Sequence, residues 1–450
     1  MKVVKFGGTS MANAVQIKKV CDIVLSDRER QVVVVSAPGK RHKDDTKVTD
    51  LLIALAKKVI SDSQYGAELS AIIDRYAEIA SDLDLDSDLS GDIRKDLELR
   101  ISRNKGHHGK LMDALKAAGE DNTAKVVAAY LKKSGHEASY VDPKDIGLLL
   151  SDEFGNAQVL PESYDNLKKL NAIPGIKVFP GFFGYTRTGD VATFPRGGSD
   201  ITGSILAAAV GAGVYENFTD VDSVFAANPN IIHNPEAIHA LTYREMRELS
   251  YAGFSVLHEE TLLPVYQAGI PVNIRNTNNP AAPGTMISIE RELSQKRPVV
   301  GVAGQKGFCF IDISKYLMNR EIGFGRKVLE ILEEFGLSYE HAPSGIDNIS
   351  VILDGKRLTK TLEEKVTAQI RTVLHADRVE VHHGFSIIFI VGEGMRNSVG
   401  VAARAANAIA NAKINIEMIN QGASEISMMF GVADNDMEKA LLAIYNEFFN

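Results

Sequence analysis

The chain contains little cysteine, and this scarcity excludes two kinds of protein. Its two cysteines, Cys21 and Cys309, lie far apart in a chain of 450 residues. They cannot form a Cys-x-x-Cys redox or metal motif, and they do not make the disulfide framework of a small secreted domain. A reducing compartment fits this composition.

Long apolar runs are also missing. No run approaches the ~20 residues that a membrane-spanning helix needs. Only a few apolar residues precede Gly7 and Gly8, too few for a secretory leader. The sequence therefore predicts a cytoplasmic protein with no membrane partner.

An excess of positive charge is lacking as well. Lysine and arginine number 50 against 58 acidic residues, so the formal net charge is -8. Non-specific binding to nucleic acid needs a basic surface, so no nucleic-acid partner is expected. The sequence contains two histidine pairs, at 107–108 and 382–383. Neither pair has further ligands at metal-binding spacing, so the sequence predicts no metal site formed by side chains.

What the chain does contain, over roughly its first 290 residues, is an alternation of strand and helix patterns. Such alternation is typical of an α/β domain with a mainly parallel sheet. Thr49 stands where an N-cap is expected. The predicted strands are 3–6, 31–38, 176–186, 188–194, 214–221, 271–276 and 284–289, and the predicted helices are 13–27, 49–60, 61–118 and 121–135.

An internal repeat follows a polar linker at 291–298. A shift of 77 residues superimposes the two copies, and it pairs glycines, a methionine and a glutamate. The matched residues are Gly307 with Gly384, Met318 with Met395, Gly323 with Gly400, Glu340 with Glu417 and Gly345 with Gly422. The tail is therefore predicted to be two copies of one small α+β module. The predicted domains are 1–296, 297–373 and 374–450.

Three short stretches of the first domain carry residue types that chemistry needs. "KFGGTS" (5–10) places two glycines directly after a strand, beside Lys5. "RGGSD" (196–200) opens an apolar helix, where free backbone N–H groups form an anion site and Arg196 supplies a rigid fork. "FTDVD" (218–222) ends a strand, where ligands bind in open α/β sheets. Each stretch has a structural alternative: a Gly-Gly turn, a helix N-cap, and an ordinary loop.

Two familiar nucleotide-binding signatures are absent. The chain has no G-x-x-x-x-G-K-[ST] loop, and "KFGGTS" is not G-x-G-x-x-G. If phosphates bind here, several glycine turns at one end of a sheet must hold them.

The three stretches and the C-terminal repeat, in this order along the chain, resemble the monofunctional aspartate kinases of the amino-acid kinase superfamily. The resemblance implies a mainly parallel sheet sandwiched by helices, followed by two ACT-like regulatory modules. It implies ATP-dependent phosphorylation of the L-aspartate β-carboxylate to 4-phospho-L-aspartate, the first step of lysine, threonine and methionine biosynthesis. ATP and Mg²⁺ are the implied cofactors.

The resemblance also implies roles for individual residues. Lys5, at the transferring phosphoryl group, and Asp200 are the implied catalytic residues. The implied substrate-binding residues are Ser36, Thr49, Glu120, Arg196 and Ser199, with Glu120 at the aspartate amino group. The implied nucleotide-binding residues are Lys5, Gly7, Gly8, Ser10, Thr219, Asp220 and Phe225.

The chain departs from the family pattern on the nucleotide side. Phe225 stands in place of a tyrosine, Asn230 in place of an arginine, and Ser255 in place of a lysine that contacts the nucleotide. Two alternatives therefore stay open: a kinase for another small acid such as acetylglutamate, and a catalytically weak amino-acid sensor. An N-acylated substrate has no ammonium to pair with Glu120, which separates the first alternative from aspartate.

The repeat predicts a regulatory tail. Neither copy buries much core alone, so pairing of modules within and between chains predicts a homodimer or a dimer of dimers. By resemblance to the family's effector sites, the first copy binds an amino acid, lysine or threonine. The implied effector-binding residues are Met318, Gly323, Phe324, Ser338, Glu340 and Asp347. A purely structural dimerisation tail is the alternative.

Overall fold

The computed structural model describes residues 1–86, 88–254, 259–293, 297–396 and 398–450. They form two compact units. The first comprises Met1–Val224, Ala237–Met246 and, within the described residues, 259–291. The second comprises Phe225–Glu236, Arg247–Phe254 and the described part of Glu292–Asn450.

Strands and helices alternate through the first unit and recur in the second. The strands are β1 (Lys2–Phe6), β2 (Arg30–Val35), β3 (Ala138–Tyr140), β4 (Ile176–Pro180), β5 (Phe183–Tyr185), β6 (Val191–Thr193), β7 (Val214–Thr219), β8 (Val224–Phe225), β9 (Ala237–Ile238), β10 (Ala240–Thr242), β11 (Val272–Asn276), β12 (Thr285–Ser288), β13 (Gly301–Ser314), β14 (Asn348–Asp354), β15 (Arg378–Val391), β16 (Met418–Gln421) and β17 (Ser427–Ala433).

The helices are α1 (Ala14–Leu25), α2 (Val48–Ile60), α3 (Gly66–Asp82), α4 (Asp88–Asn104), α5 (His108–Lys133), α6 (Pro143–Ile146), α7 (Glu162–Leu167), α8 (Gly198–Val210), α9 (Tyr243–Tyr251), α10 (Leu263–Gln267), α11 (Phe324–Glu334), α12 (Lys360–Leu374), α13 (Val401–Asn411) and α14 (Met437–Phe449). Across the described residues, no helix combines the length and the apolar character that crossing a membrane requires.

Eight strands of the first unit form one sheet in the order β10-β12-β11-β7-β1-β2-β4-β3. Every neighbouring pair is parallel except β11 with β12. The four valines of β2, Val32–Val35, are fully buried, as expected of a parallel strand covered on both faces. The mainly parallel α/β sheet predicted from the sequence is confirmed.

The start of α2 differs from the prediction. The helix begins at Val48, Lys47 occupies the N-cap position, and Thr49 lies in the first turn. The Val48 amide donates to the carbonyl oxygen of Pro38 at 3.0 Å. A backbone contact to the preceding loop therefore does what the sequence assigned to the Thr49 side chain.

The helix predicted at 121–135 is longer than its pattern suggested, because α5 begins at His108. Its middle contains Gly119 and a polar run, Glu120–Thr123, yet all of these residues are buried. A Cβ on Gly119 would lie only 2.7 Å from the Cβ of Ala37. Close packing against the loop after β2 thus explains a glycine that otherwise weakens a helix.

The second unit holds a five-stranded antiparallel sheet in the order β14-β13-β15-β17-β16. A shift of 77 residues carries the bounds of β13 onto those of β15, and those of α11 onto α13. The structure therefore confirms the internal repeat. The two equivalent strands, β13 and β15, pair with each other at the centre of the sheet, with Gly301 opposite Val391 and Ser314 opposite Arg378.

The core of the first copy draws on both sides of the predicted boundary between the modules. It contains residues of α11 and α12, such as Val328 and Ile370, and also Val379 from β15. The boundary between residues 373 and 374 therefore stays a prediction, as does the independent folding of each module.

Candidate active site

Lys5 and Asp200 form an ion pair at the carboxyl end of the central strand. The distance from Lys5 Nζ to Asp200 Oδ1 is 2.6 Å, and the two side chains are 9% and 19% exposed. Asn217 donates its Nδ2 hydrogen to the same oxygen of Asp200 at 2.7 Å. The two residues that the sequence assigned to catalysis are thus brought into direct contact.

The fold explains why these three residues meet. Lys5 on β1 lies directly opposite Asn217 on the parallel strand β7, and neighbours in register share one face of a sheet. Asp200 lies in the first turn of α8, where the helix dipole stabilises a carboxylate. The site is therefore assembled from two neighbouring strands, β1 and β7, and the start of α8.

The glycines of "KFGGTS" allow two backbone segments to touch. The Gly39 amide donates to the carbonyl oxygen of Gly8 at 2.7 Å, and a Cβ on Gly39 would lie 2.6 Å from the Gly8 carbonyl carbon. The Gly7 amide donates to the Phe218 carbonyl at 3.2 Å. The loop after β2 therefore approaches this turn so closely that only small residues fit where the two segments meet.

Ser10 is buried and already hydrogen-bonded. Its hydroxyl lies 2.7 Å from the Thr277 hydroxyl, and both residues are at most 2% exposed. Thr277 also donates its amide to the Thr219 carbonyl at 3.0 Å. This pair ties the glycine loop to the ends of β7 and β11.

Glu120 carries an unsatisfied carboxylate in the interior. The residue is 5% exposed, and its Oε2 has no hydrogen-bond partner in the described structure. Burial raises the pKa of this carboxyl group to about 8, with the backbone of Ala37 and the charge of Lys116 acting in the opposite sense. A buried acceptor without a partner is costly, so Glu120 is prepared for a cation.

Ser36 and Thr49 flank the loop that reaches Gly8. The Ser36 amide donates to the Phe6 carbonyl at 3.2 Å, directly after β2. Thr49 lies in the first turn of α2, and both residues are partly exposed.

The "RGGSD" stretch forms the start of α8 as predicted, with its own steric reasons for glycine. Gly197 is the N-cap at φ 82°, a left-handed conformation that favours glycine. A Cβ on Gly198 would lie 2.5 Å from the Phe182 ring, and a Cβ on Gly181 would lie 2.7 Å from the side chain of Ser199. Arg196 is exposed, and its guanidinium makes no ion pair or hydrogen bond to the residues the structure describes. The turn explains the glycines but leaves Arg196 free for a ligand.

Thr219 is the last residue of β7, at the edge where Lys5 lies, and Asp220 follows it. The Thr219 hydroxyl donates to Asp220 Oδ1 at 3.2 Å, and Asp220 is exposed. Phe225 belongs to the second unit as the last residue of β8. Asn230, also in that unit, closes a turn with its amide on Asn228 Oδ1 at 3.0 Å, while Ser255 lies outside the described residues.

The predicted effector residues fall into two groups within the second unit. Met318 and Phe324 are buried in the core of the first copy, and Gly323 is the N-cap of α11 at φ 80°. Asp347 accepts a hydrogen bond at 2.8 Å from the Leu317 amide. These four residues lie around the start of α11.

Ser338 and Glu340 form the other group. The Arg357 guanidinium donates to the Ser338 hydroxyl at 3.2 Å, and the Tyr251 hydroxyl donates to the Glu340 carboxylate. The Glu340 amide pairs with Ile352 on β14, whereas Asp347 precedes the first residue of that strand. Four strand residues span about 13 Å, so one chain does not bring the two groups together.

Sequence reasoning missed three residues that the structure places at these sites: Asn217, Thr277 and Tyr251. Asn217 carried one signal, since it and Glu216 are polar residues within the predicted strand 214–221. Thr277 and Tyr251 carried none, because their partners are remote in the sequence.

Comparison with known proteins identifies relatives over the whole chain. The model of the amino acid kinase family matches residues 1–276, and a model of the ACT domain matches residues 388–448. Aspartokinase 3 of Bacillus subtilis (strain 168) is 55% identical over 449 residues, which cover 100% of this chain and 99% of that protein.

Solved structures of similar fold agree with these matches. Aspartate kinase of Clostridium acetobutylicum has a TM-score of 0.89 and 38% identity, with 100% of both chains covered. E. coli aspartokinase III covers 100% of both chains in two complexes. Its complex with aspartate and ADP has a TM-score of 0.78 at 25% identity, and its complex with lysine and aspartate has 0.76 at 26%.

Proposed function

This chain belongs to the aspartokinases, within the amino acid kinase family, and from that premise we propose how its residues perform the reaction. The enzyme transfers the terminal phosphoryl group of ATP to the β-carboxylate of L-aspartate. That carboxylate is ionised at neutral pH, so no strong base is required. Catalysis then consists of positioning and of stabilising charge on the phosphoryl group.

The observation that carries the substrate assignment is the buried, unpartnered Oε2 of Glu120. The α-ammonium of aspartate would satisfy this oxygen, and the added positive charge would favour the ionised carboxylate. Arg196, exposed and free of partners among the described residues, would bind the α-carboxylate through two parallel hydrogen bonds. Ser36, Thr49 and Ser199 would complete the substrate site.

Lys5 would stabilise the transferring phosphoryl group. Its ion pair with Asp200, itself held by Asn217, fixes the ammonium at the carboxyl end of β1. The amides of Gly7 and Gly8 would add fixed dipoles, and Ser10 supports their loop through Thr277. Such preorganised groups stabilise developing charge without reorganising during the reaction.

The nucleotide would bind at the end of β7, where Thr219 and the exposed Asp220 lie. We assign Phe225 to the same function, in the place of the family's tyrosine. The described residues contain no group of three or more His, Cys, Asp or Glu side chains that could hold a metal ion. Mg²⁺ is usually bound by one or two carboxylates together with substrate phosphates, so it would enter with ATP, with Asp220 as a ligand.

The ACT-like tail would regulate the enzyme as a homodimer or a dimer of dimers in the cytoplasm. E. coli aspartokinase III has been solved with lysine, and lysine or threonine is the proposed effector here. Because Ser338 and Glu340 lie apart from Gly323 and Asp347 in one chain, residues from two subunits would complete the effector site.

A hydroxylamine trap for acyl phosphate tests the proposed reaction. With ATP and Mg²⁺, L-aspartate should give the hydroxamate. N-acetyl-L-aspartate keeps the β-carboxylate but lacks the ammonium, so it should give none. Product from acetylglutamate alone would establish the other small-acid kinase. No product from any acid, together with binding of lysine or threonine, would establish the sensor.

A further inference from the structure

Arg75 is a buried cation that lies outside every motif of the candidate active site. It stands on α3 and is 4% exposed. Its Nη1 lies 2.8 Å from Asp45 Oδ2, and its Nη2 donates to the carbonyl oxygen of Gly39 at 2.6 Å. Both partners belong to the segment between β2 and α2, so one guanidinium joins two points of that segment.

The segment held in this way touches both halves of the candidate site. Gly39 is hydrogen-bonded to Gly8, with no room for a Cβ between them. Ala37 packs on Gly119, one residue before Glu120. A group that fixes Gly39 therefore also fixes the distance between the glycine loop and Glu120.

The chemistry of the contact requires arginine. A planar guanidinium can bind a carboxylate and a carbonyl oxygen at once, whereas an ammonium is a single point charge. Asp45 stays ionised here, because hydrogen bonds, first from Arg41 and then from Arg75, hold its pKa far below the usual value despite burial. The Arg75 contact is thus a charge-assisted one, of the strong kind.

We propose that Arg75 is a positioning residue for aspartate, which holds segment 36–47 so that Ser36, Thr49 and Glu120 face the substrate together. The proposal deepens the proposed function and rests on it. Arg75 itself touches no reacting atom, and its effect passes through Gly39.

The test compares Arg75→Lys and Arg75→Ala with Arg41→Ala. Arg41 pairs with the same Asp45 at 3.0 Å, but its side chain is 33% exposed, and among the described residues it makes no hydrogen bond to Gly39. Each Arg75 variant should raise the KM for aspartate by about tenfold or more, since a misplacement of 1 Å can cost that much. The KM for ATP should rise less than that for aspartate. Arg75→Ala should also lower the melting temperature, because it leaves Asp45 without this buried partner, whereas Arg75→Lys keeps the charge and Arg41→Ala should resemble the wild type.

Two further measurements keep the proposal falsifiable if Arg75→Ala fails to fold. Asp45→Asn breaks the ion pair from the other side and should shift aspartate KM in the same direction, by a smaller factor. Arg75→Gly should recover aspartate affinity in millimolar guanidinium. The reason is a cavity of about 270 Å³ beside Arg75, which is lined by Arg41, Asp45, Thr46 and Arg75 among others.

Calorimetric binding of L-aspartate, measured on the same variants, separates the two hypotheses. Wild-type protein that binds aspartate but forms no hydroxamate would count against the proposed function only. Arg75→Lys with wild-type aspartate affinity would overturn the positioning role. Proportional loss of aspartate affinity, ATP affinity and melting temperature would overturn it as well, because general destabilisation would then suffice.

Discussion

Glu120 is the residue whose protonation should change when the substrate binds. Burial raises its pKa to about 8, so at pH 7 most free molecules hold the proton. An ammonium beside the carboxylate lowers that pKa again. Aspartate binding at pH 7 should therefore release protons, up to about one per site, which calorimetry in buffers of different ionisation enthalpy measures.

Glu120→Gln is the matched variant, and it should bind aspartate weakly and release no proton. The stability of the variant relative to the wild type should also change with pH. Since the wild-type pKa rises from 4.5 to about 8 on folding, that carboxyl favours the folded state fully below pH 4.5 and loses this contribution as pH rises to about 8. The loss is at most about 1.4 kcal/mol per pH unit. The variant should gain melting temperature over the wild type across this range, and a constant difference would contradict the assignment.

Lys5→Ala tests the phosphoryl site. In the role proposed for Lys5, its contact strengthens in the transition state, so kcat should fall by about 10²–10³ while aspartate binding changes little. Lys2→Ala is the control, since Lys2 lies on the same strand but pairs with Asp27 at 2.7 Å, away from the site. Unchanged turnover in Lys5→Ala would leave Lys5 a structural residue paired with Asp200.

Among the elements, the loop after β2 tolerates little added volume. A Cβ on Gly39 would lie 2.6 and 2.7 Å from the carbonyl carbon and oxygen of Gly8, and backbone atoms cannot rotate away. Gly39→Ala should cost about 1–3 kcal/mol of stability and lower kcat/KM for aspartate, as denaturant unfolding and the hydroxamate assay would show. Gly91→Ala, in open space on α4, should stabilise by up to ~1 kcal/mol. Equal effects of both changes would refute the steric argument.

Sequence patterns predicted the strands and helices that carry the site because the relevant signals are local. The valines of β2 and the glycines at the start of α8 each predict their strand or helix from a few neighbouring residues. The start of α2 was missed because its first amide is satisfied by Pro38, a backbone partner that no side-chain pattern records.

The site residues that stayed hidden depend on register between distant strands. Asn217 meets Lys5 only because β7 lies beside β1, and Thr277 meets Ser10 only because β11 lies beside β7. Composition and periodicity near a residue do not indicate which residue more than 200 positions away it will meet. The order of strands in the sheet, rather than any motif, decides these contacts.

At the scale of the whole molecule, the two copies of the repeat are alike in fold but not in side chains. The sequence predicted the copies, yet not that their equivalent strands pair with each other at the centre of one sheet. Under the 77-residue shift, Asp347 corresponds to Ser424 and Ser338 to Asn415. At this position, therefore, only the first copy has the acidic group that a lysine side chain needs.

Asp347→Ala should raise the half-maximal inhibitory concentration of the effector by about tenfold, an allosteric coupling loss of ~1.4 kcal/mol, with uninhibited activity little changed. Ser424→Ala, at the equivalent position, should leave inhibition unchanged. Titration with lysine and threonine, alone and together, measures both. If neither amino acid binds or inhibits at millimolar concentration, the tail has a structural role in dimerisation only.

The central position of β1 has a consequence for synthesis of the chain. This strand is synthesised long before one of its two neighbours, β7, which begins at Val214. At a translation rate of 5–20 residues per second, β1 waits roughly 10–40 s for that neighbour. During this interval its apolar edge needs the protection of a chaperone or of the helices already formed. Slowing translation just before residue 214 should therefore increase aggregation of the nascent chain.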